Sequence, residues 1–197
     1  MADRPARRET FAERKARRGA VEDPAIVLEA AARFLETRSR SEAEVRRRLT
    51  GAGYRADLVD AAVVRLIDLR MLDDEAFARA WVESRDRAQP RGERAIREEL
   101  RLKGVGREIV ARVLEDRRQA ALEVTADDDD APVSADRGAA QRLLARHARS
   151  LERVTDLRQR RQRAYALLAR HGFDPETCRE AAARLVAPAE EDVESGG

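Results

Sequence analysis

Apolar residues in this chain recur at helical spacing, and at three places the recurrence is interrupted by the same pattern, Leu-x-x-x-Gly followed by an apolar residue. These are Leu49 to Gly53 and Tyr54, Leu100 to Gly104 and Val105, and Leu168 to Gly172 and Phe173. Eight residues before each glycine stand Val45, Ile96 and Ala164; six after it stand Val59, Val110 and Cys178; ten after it stand Val63, Leu114 and Ala182. Such spacing on both sides of a glycine predicts a helix, a glycine C-cap, a short turn and a second helix.

A further helix is predicted ahead of each pair. Asp23-Pro24 offers an N-cap with proline at the first helical position, and Val27, Leu28, Ala31, Phe34 and Leu35 follow on one face. Ser41 and Glu44 have the spacing of a capping box, so a second helix starts there, and Leu58, Val59, Ala62, Val63, Leu66 and Ile67 mark a third. In the next unit Asp73 or Asp74 caps a helix bearing Phe77, Ala78, Trp81 and Val82. Pro90-Arg91-Gly92 breaks the pattern before Ala95, Ile96 and Leu100, and then Ile109, Val110, Val113 and Leu114 follow. The last unit has Leu143, Leu144, His147 and Leu151, then Ala164, Tyr165 and Leu168, then the Asp174-Pro175 cap with Cys178, Ala181, Ala182 and Leu185. The expected fold is all-α, with three tandem three-helix repeats forming an elongated, curved helical array.

Composition adds that the core is thin. Of 197 residues 40% are charged and only 4% aromatic, so burial falls to Leu, Val, Ile and Ala. Charge also divides the chain. Residues 1–22 read as a disordered basic arm, 23–72 as repeat one, 73–122 as repeat two, 123–136 as an acidic linker, 137–187 as repeat three and 188–197 as an acidic tail. The linker holds no basic residue and Asp127 to Asp130 in succession, whereas residues 137–189 carry a net charge of +7, from 12 basic and 5 acidic residues.

Candidate chemistry is sparse. With two histidines, one cysteine and no phosphate-binding glycine loop, no catalytic centre and no cofactor site are expected. His147 and His171 read as structural residues and Cys178 as a small core residue. The aspartate run lacks the alternation, glycine and distal glutamate of a Ca²⁺ loop, so no metal site is expected. No apolar run is long enough to span a membrane, and the N-terminal arginines lack a secretory apolar region, which points to a cytoplasmic protein.

The basic clusters remain. Arg46, Arg47 and Arg48 follow Val45 on the middle helix of repeat one; Arg91, Arg94, Arg97, Arg101 and Lys103 occupy the equivalent region of repeat two. Arg158, Arg160, Arg161 and Arg163, with Arg170 further on, do so in repeat three. Recurrence in the same helix of each unit suggests a shared surface for DNA phosphates or an acidic protein groove.

The segments SEAEVRRRL (41–49), LDDEAFA (72–78), EELRLKGV (98–105) and LLARHGF (167–173), in that order and spacing, resemble the RecX family of bacterial recombination regulators. The resemblance covers residues 24 to 187. It implies a non-enzymatic, all-α protein that lies in the helical groove of the RecA–DNA filament and restrains recombinase, ATPase and co-protease activities in repair and the SOS response. The twelve basic residues from Arg46 to Arg163 would then meet RecA, with single- or double-stranded DNA as a further candidate partner and a monomeric protein as the expected state. The alternative is a duplex-binding transcription factor, because Arg91 to Arg112 also has the outline of a helix-turn-helix.

Overall fold

Capping side chains set where the helices begin. Asp23 accepts from the Ala25 N–H at 2.8 Å with Pro24 next to it, and opens the helix Pro24–Leu35. Ser41 accepts from the Glu44 N–H at 3.2 Å while Glu44 reaches back to the Ser41 N–H, completing the expected capping box. Asp73 accepts from the Glu75 and Ala76 N–H groups at 2.8 and 2.9 Å, which makes it the N-cap and leaves Asp74 inside the helix. Asp156 and Asp174 play the same part for the last two helices.

The computed structural model describes residues 9–125 and 134–185; the Asp127 to Asp130 run and residues 188–197 lie outside these. Among the described residues there are ten helices and no strand: α1 (Phe11–Gly19), α2 (Pro24–Leu35), α3 (Glu42–Ala52), α4 (Ala56–Asp68), α5 (Asp74–Ala88), α6 (Glu93–Lys103), α7 (Arg107–Thr125), α8 (Ala135–Glu152), α9 (Leu157–Arg170) and α10 (Pro175–Arg184). None is long and apolar enough to cross a membrane. Two compact units result: residues up to Ala78 with Arg101–Ile109, and Arg79–Leu100 with the chain from Val110 onward.

In the first unit α2, α3 and α4 pack around Val27, Ala31, Val45, Leu49, Val59, Val63 and Leu66, all nearly fully buried. In the second, α8, α9 and α10 enclose Ala139, Ala140, Leu143, Leu144, Ala164, Leu168, Phe173, Cys178, Ala181 and Ala182. Small residues dominate this second core. Close approach of helices, rather than bulk, lets it exclude water. Cys178 sits at its centre as a core residue, and burial pushes its thiol pKa up.

The repeated glycine has two structural duties. First, it ends a helix in the left-handed region: Gly53, Gly104 and Gly172 have φ of +105°, +83° and +82°. The following N–H then returns to the leucine carbonyl, Tyr54 to Leu49 at 3.2 Å and Phe173 to Leu168 at 3.4 Å, which accounts for the motif's fixed spacing. Second, it is a contact point with no space for a side chain. A Cβ on Gly104 would collide with the Cβ of Ala43 on α3, and one on Gly172 with the Cβ of Ala95 on α6.

The helix ends at these contacts are satisfied by their neighbours. Within the first unit the Ser41 hydroxyl, besides capping α3, donates to the Lys103 carbonyl at the end of α6 (2.6 Å), and Asp74 accepts from the Glu42 N–H (2.8 Å). Within the second, the Gly92 N–H donates to the His171 carbonyl at the end of α9 (3.0 Å), and Asp136 accepts from the Glu93 N–H (2.9 Å). One arrangement thus occurs twice, and in both a carboxylate from the helix two places further along the chain completes an N-terminus, Asp74 of α5 for α3 and Asp136 of α8 for α6.

Residues 11–19 differ from the expected disordered arm. Thr10 and Glu13 form a capping box that starts α1, and the helix lies against the α3–α4 turn. A Cβ on Gly53 would stand 2.6 Å from Lys15 Cγ, and Arg18 stacks on Tyr54 at 5.7 Å. No residue of α1 is buried, so it has no apolar stripe to betray it in the sequence; backbone and aliphatic stem make the contact instead. His147 also departs from expectation. It is exposed while Leu143, Leu144 and Leu151 are buried, although helical spacing puts it on the same face, because that part of the face opens on a hollow lined by Pro90, Arg91, Arg146 and His171.

Candidate basic interface

The arginines that recur in sequence on α3, α6 and α9 have different surroundings in the structure. On α3, Arg46 is half-buried and pairs with Asp60 of α4. Arg47 donates to the Leu102 and Lys103 carbonyls at 3.3 and 3.4 Å, compensating the negative end of α6, and Arg48 lies over the Phe34 ring at 5.6 Å. These side chains hold the first unit together.

Lys103 has a similar task. Its ammonium is 3.0 Å from Glu44, which Arg38 also binds at 2.9 Å. Burial by itself raises the Glu44 pKa, but hydrogen bonds from Arg38, Lys103 and the Ser41 N–H, with the charge of Lys103, outweigh it and hold the carboxyl at about 2.

On α6, Arg97 pairs with Glu93 one turn back. Arg91 lies 3.7 Å from Glu99, a carboxylate that also accepts from Trp81 Nε1 at 2.8 Å and Arg85 Nε at 2.6 Å. Arg94 and Arg101 are exposed. Nearby, Arg117 of α7 is almost fully buried between Asp86 of α5 and Asp136 of α8, at 2.9 and 2.6 Å. Nothing in the sequence pattern singles it out, since arginine is common on every helix here.

Helix α9 is different in kind. It carries five arginines and no acidic residue. Arg160 turns back to the Val154 and Glu152 carbonyls, whereas Arg158, Arg161 and Arg163 are exposed and form no ion pair with a described carboxylate. Arg158, Arg161 and Tyr165, at i, i+3 and i+7, share one face, and Gln162 lies beside them. With Arg179 and Ala182 of α10 they line an open hollow of about 300 Å³. Arg179 and Tyr165 belong to no basic cluster in the sequence, and only the packing of α10 on α9 brings them to this face.

Both histidines line a hollow with Pro90, Arg91, Leu143 and Arg146, where His171 Nδ1 is 2.9 Å from the Leu167 carbonyl. Among the described residues no group of three His, Cys, Asp or Glu side chains gathers as metal ligands would.

Three-helix units, each with a left-handed glycine turn between its second and third helices, define a helical-repeat protein. Its units match, in chain order, the RecX first three-helix domain at residues 28–66, the second at 73–114 and the third at 136–182. The chain belongs to the RecX family. It is 35% identical over 145 residues to a protein described as regulatory protein RecX from Mycobacterium sp. (strain KMS), covering 72% of this chain and 71% of the relative. A protein of the same description from Mycobacterium ulcerans is 32% identical over 141 residues, covering 72% and 73%. The crystal structure of RecX from Lactobacillus salivarius superposes with a TM-score of 0.63 at 20% identity, covering 83% of this chain and 97% of that one, which speaks to the fold alone.

Proposed function

We propose that this chain is a non-enzymatic regulator of the RecA recombinase that docks in the groove of the RecA–DNA filament and limits recombinase, ATPase and co-protease activity. A regulatory role follows from the family. The observation that carries the finer reading is the match of all three units, in order, to the three RecX domains, together with a face on α9 whose charge is left for a partner. A filament groove presents phosphate and acidic protein surface, and unpaired guanidiniums suit both. On this reading the protein acts in the cytoplasm, as a monomer.

The basic candidates then divide by role. Arg158, Arg161 and Arg163, with Arg94, meet the filament; Arg46, Arg47, Arg91, Arg97 and Lys103 keep the units in the shape that can dock, and Arg48, Arg101 and Arg160 stand at the rim. Titrating the protein into RecA on single-stranded DNA while following ATP hydrolysis tests the proposal. Inhibition at low salt is expected, and R158Q/R161Q/R163Q should weaken it at least about tenfold, since each lost guanidinium–phosphate contact costs roughly fivefold near 0.1 M salt. Absence of both co-sedimentation with the filament and any effect on ATP hydrolysis would overturn it.

A further inference from the structure

We propose that the hollow between α9 and α10 is a binding site for single-stranded nucleic acid, used without any partner protein, in which Arg158, Arg161 and Arg179 take phosphates and Tyr165 stacks on a base. This goes beyond regulation of a filament, because it assigns direct contact with the nucleic acid to one face of one domain.

The chain has 40 basic and 38 acidic residues, and a number of its arginines are neutralised by a nearby carboxylate, as in Arg46–Asp60, Arg55–Asp57, Arg79–Asp116 and Arg97–Glu93. Around the hollow that compensation is missing: Arg158, Arg161 and Arg179 form no ion pair with a described carboxylate. Three guanidiniums on one small surface repel one another. Such an arrangement is costly alone and favourable around an anion.

The shape then narrows the anion. A volume of about 300 Å³ lies at the lower end of ligand clefts, on the scale of one nucleotide and well below that of a duplex groove contact. Tyr165 is half-buried and packs against the α8–α9–α10 core, so its ring is a fixed platform. Arg179 is held as well, its Nε donating to the Pro175 carbonyl at 3.0 Å. Gln162 adds an amide able to donate to and accept from a base edge. Arginine forks for phosphates beside an aromatic face are what single strands require, because every base offers a π-surface whatever its identity. An acidic peptide would use the guanidiniums but leave the tyrosine idle.

The test uses the full chain and a fluorescent oligo-dT, with no RecA present, so its outcome is separate from that of the regulatory reading. Anisotropy titrations between 50 and 300 mM salt are expected to show binding with a steep salt dependence. R158Q/R161Q/R179Q should lower the slope of log K against log salt by about 2, and affinity about 100-fold near 0.1 M, following roughly 0.7 released counterions per phosphate contact on a single strand. The charge-matched control R33Q/R55Q/R65Q, all exposed residues of the first unit, should change little. Y165L, which keeps apolar volume against the core, should lose at least about fivefold, and Y165F should restore it. The proposal is overturned if the wild type fails to bind at 50 mM salt, if both triple variants lose affinity equally, if Y165L binds as tightly as the wild type, or if poly-glutamate displaces the oligonucleotide at equal charge concentration.

Discussion

Replacing Glu44 by Gln removes the charge at the centre of the first unit's ion network while keeping the side chain's size. In the native protein Glu44 is bound by Arg38 at 2.9 Å, Lys103 at 3.0 Å and the Ser41 N–H, and its side chain is only 12% exposed. A pKa held at about 2 rather than 4.5 corresponds, at roughly 1.4 kcal/mol per pH unit, to an upper limit of about 3 kcal/mol. Arg38 is 42% exposed and solvent screens its share, so a contribution of about 1–2 kcal/mol is the better figure. Because the folded-state pKa lies below the unfolded one, this stability is fully present above pH 4.5 and is lost as the pH falls from there towards 2. Melting followed by circular dichroism from pH 7 down to pH 2.5 measures it. E44Q should melt about 3–6 °C below the wild type at pH 7, and the two curves should converge as the pH drops. A constant difference at all pH values, or none at pH 7, would refute the assignment of Glu44 as an ionised strut.

Further outcomes follow from the same geometry. Gly104→Ala should cost at least about 2 kcal/mol, because it combines a left-handed φ with a collision against Ala43, whereas Gly51→Ala, with open space around it inside α3, should be neutral or stabilising by up to about 1 kcal/mol; thermal melts of the two variants distinguish a socket glycine from an incidental one. R117M leaves Asp86 and Asp136 without their shared cation and should destabilise the second unit by about 3–5 kcal/mol, readable as faster hydrogen exchange in α5, α7 and α8. K103Q should lower the melting temperature yet leave the salt dependence of oligo-dT binding unchanged, the opposite of the α9 triple variant.

Local signals carried much of the fold. Asp23-Pro24, the Ser41–Glu44 capping box and Asp174-Pro175 each start a helix where expected, because an N-cap is a contact between neighbours in the chain. The glycine turns are local too: a C-cap at Gly53 or Gly172 needs only its own helix and the next residue. Buried positions such as Val45, Ile96, Leu114 and Leu168 follow from periodicity. Helix α1 lacked such a stripe, and its contact with Gly53 depends on backbone approach that no hydrophobic pattern records.

The basic face was legible only as a set of candidates. Arg47 and Arg158 both follow a helix N-cap by a few residues in arginine-rich stretches, yet one is spent on the carbonyls ending α6 and the other faces solvent beside α10. Likewise, the paired aspartates after Leu72 look interchangeable, although Asp73 caps its own helix and Asp74 caps α3, 32 residues away in sequence. The amino-acid order by itself determined the helices, their caps, the three glycine turns and the apolar faces, since these depend on spacing within one or two turns. Tertiary structure alone decided which carboxylate neutralises which arginine, and therefore which charges are left for a partner, because an ion pair is set by distance in space and the acids that quench α3 and α6 come from other parts of the chain or from the far side of a helical turn.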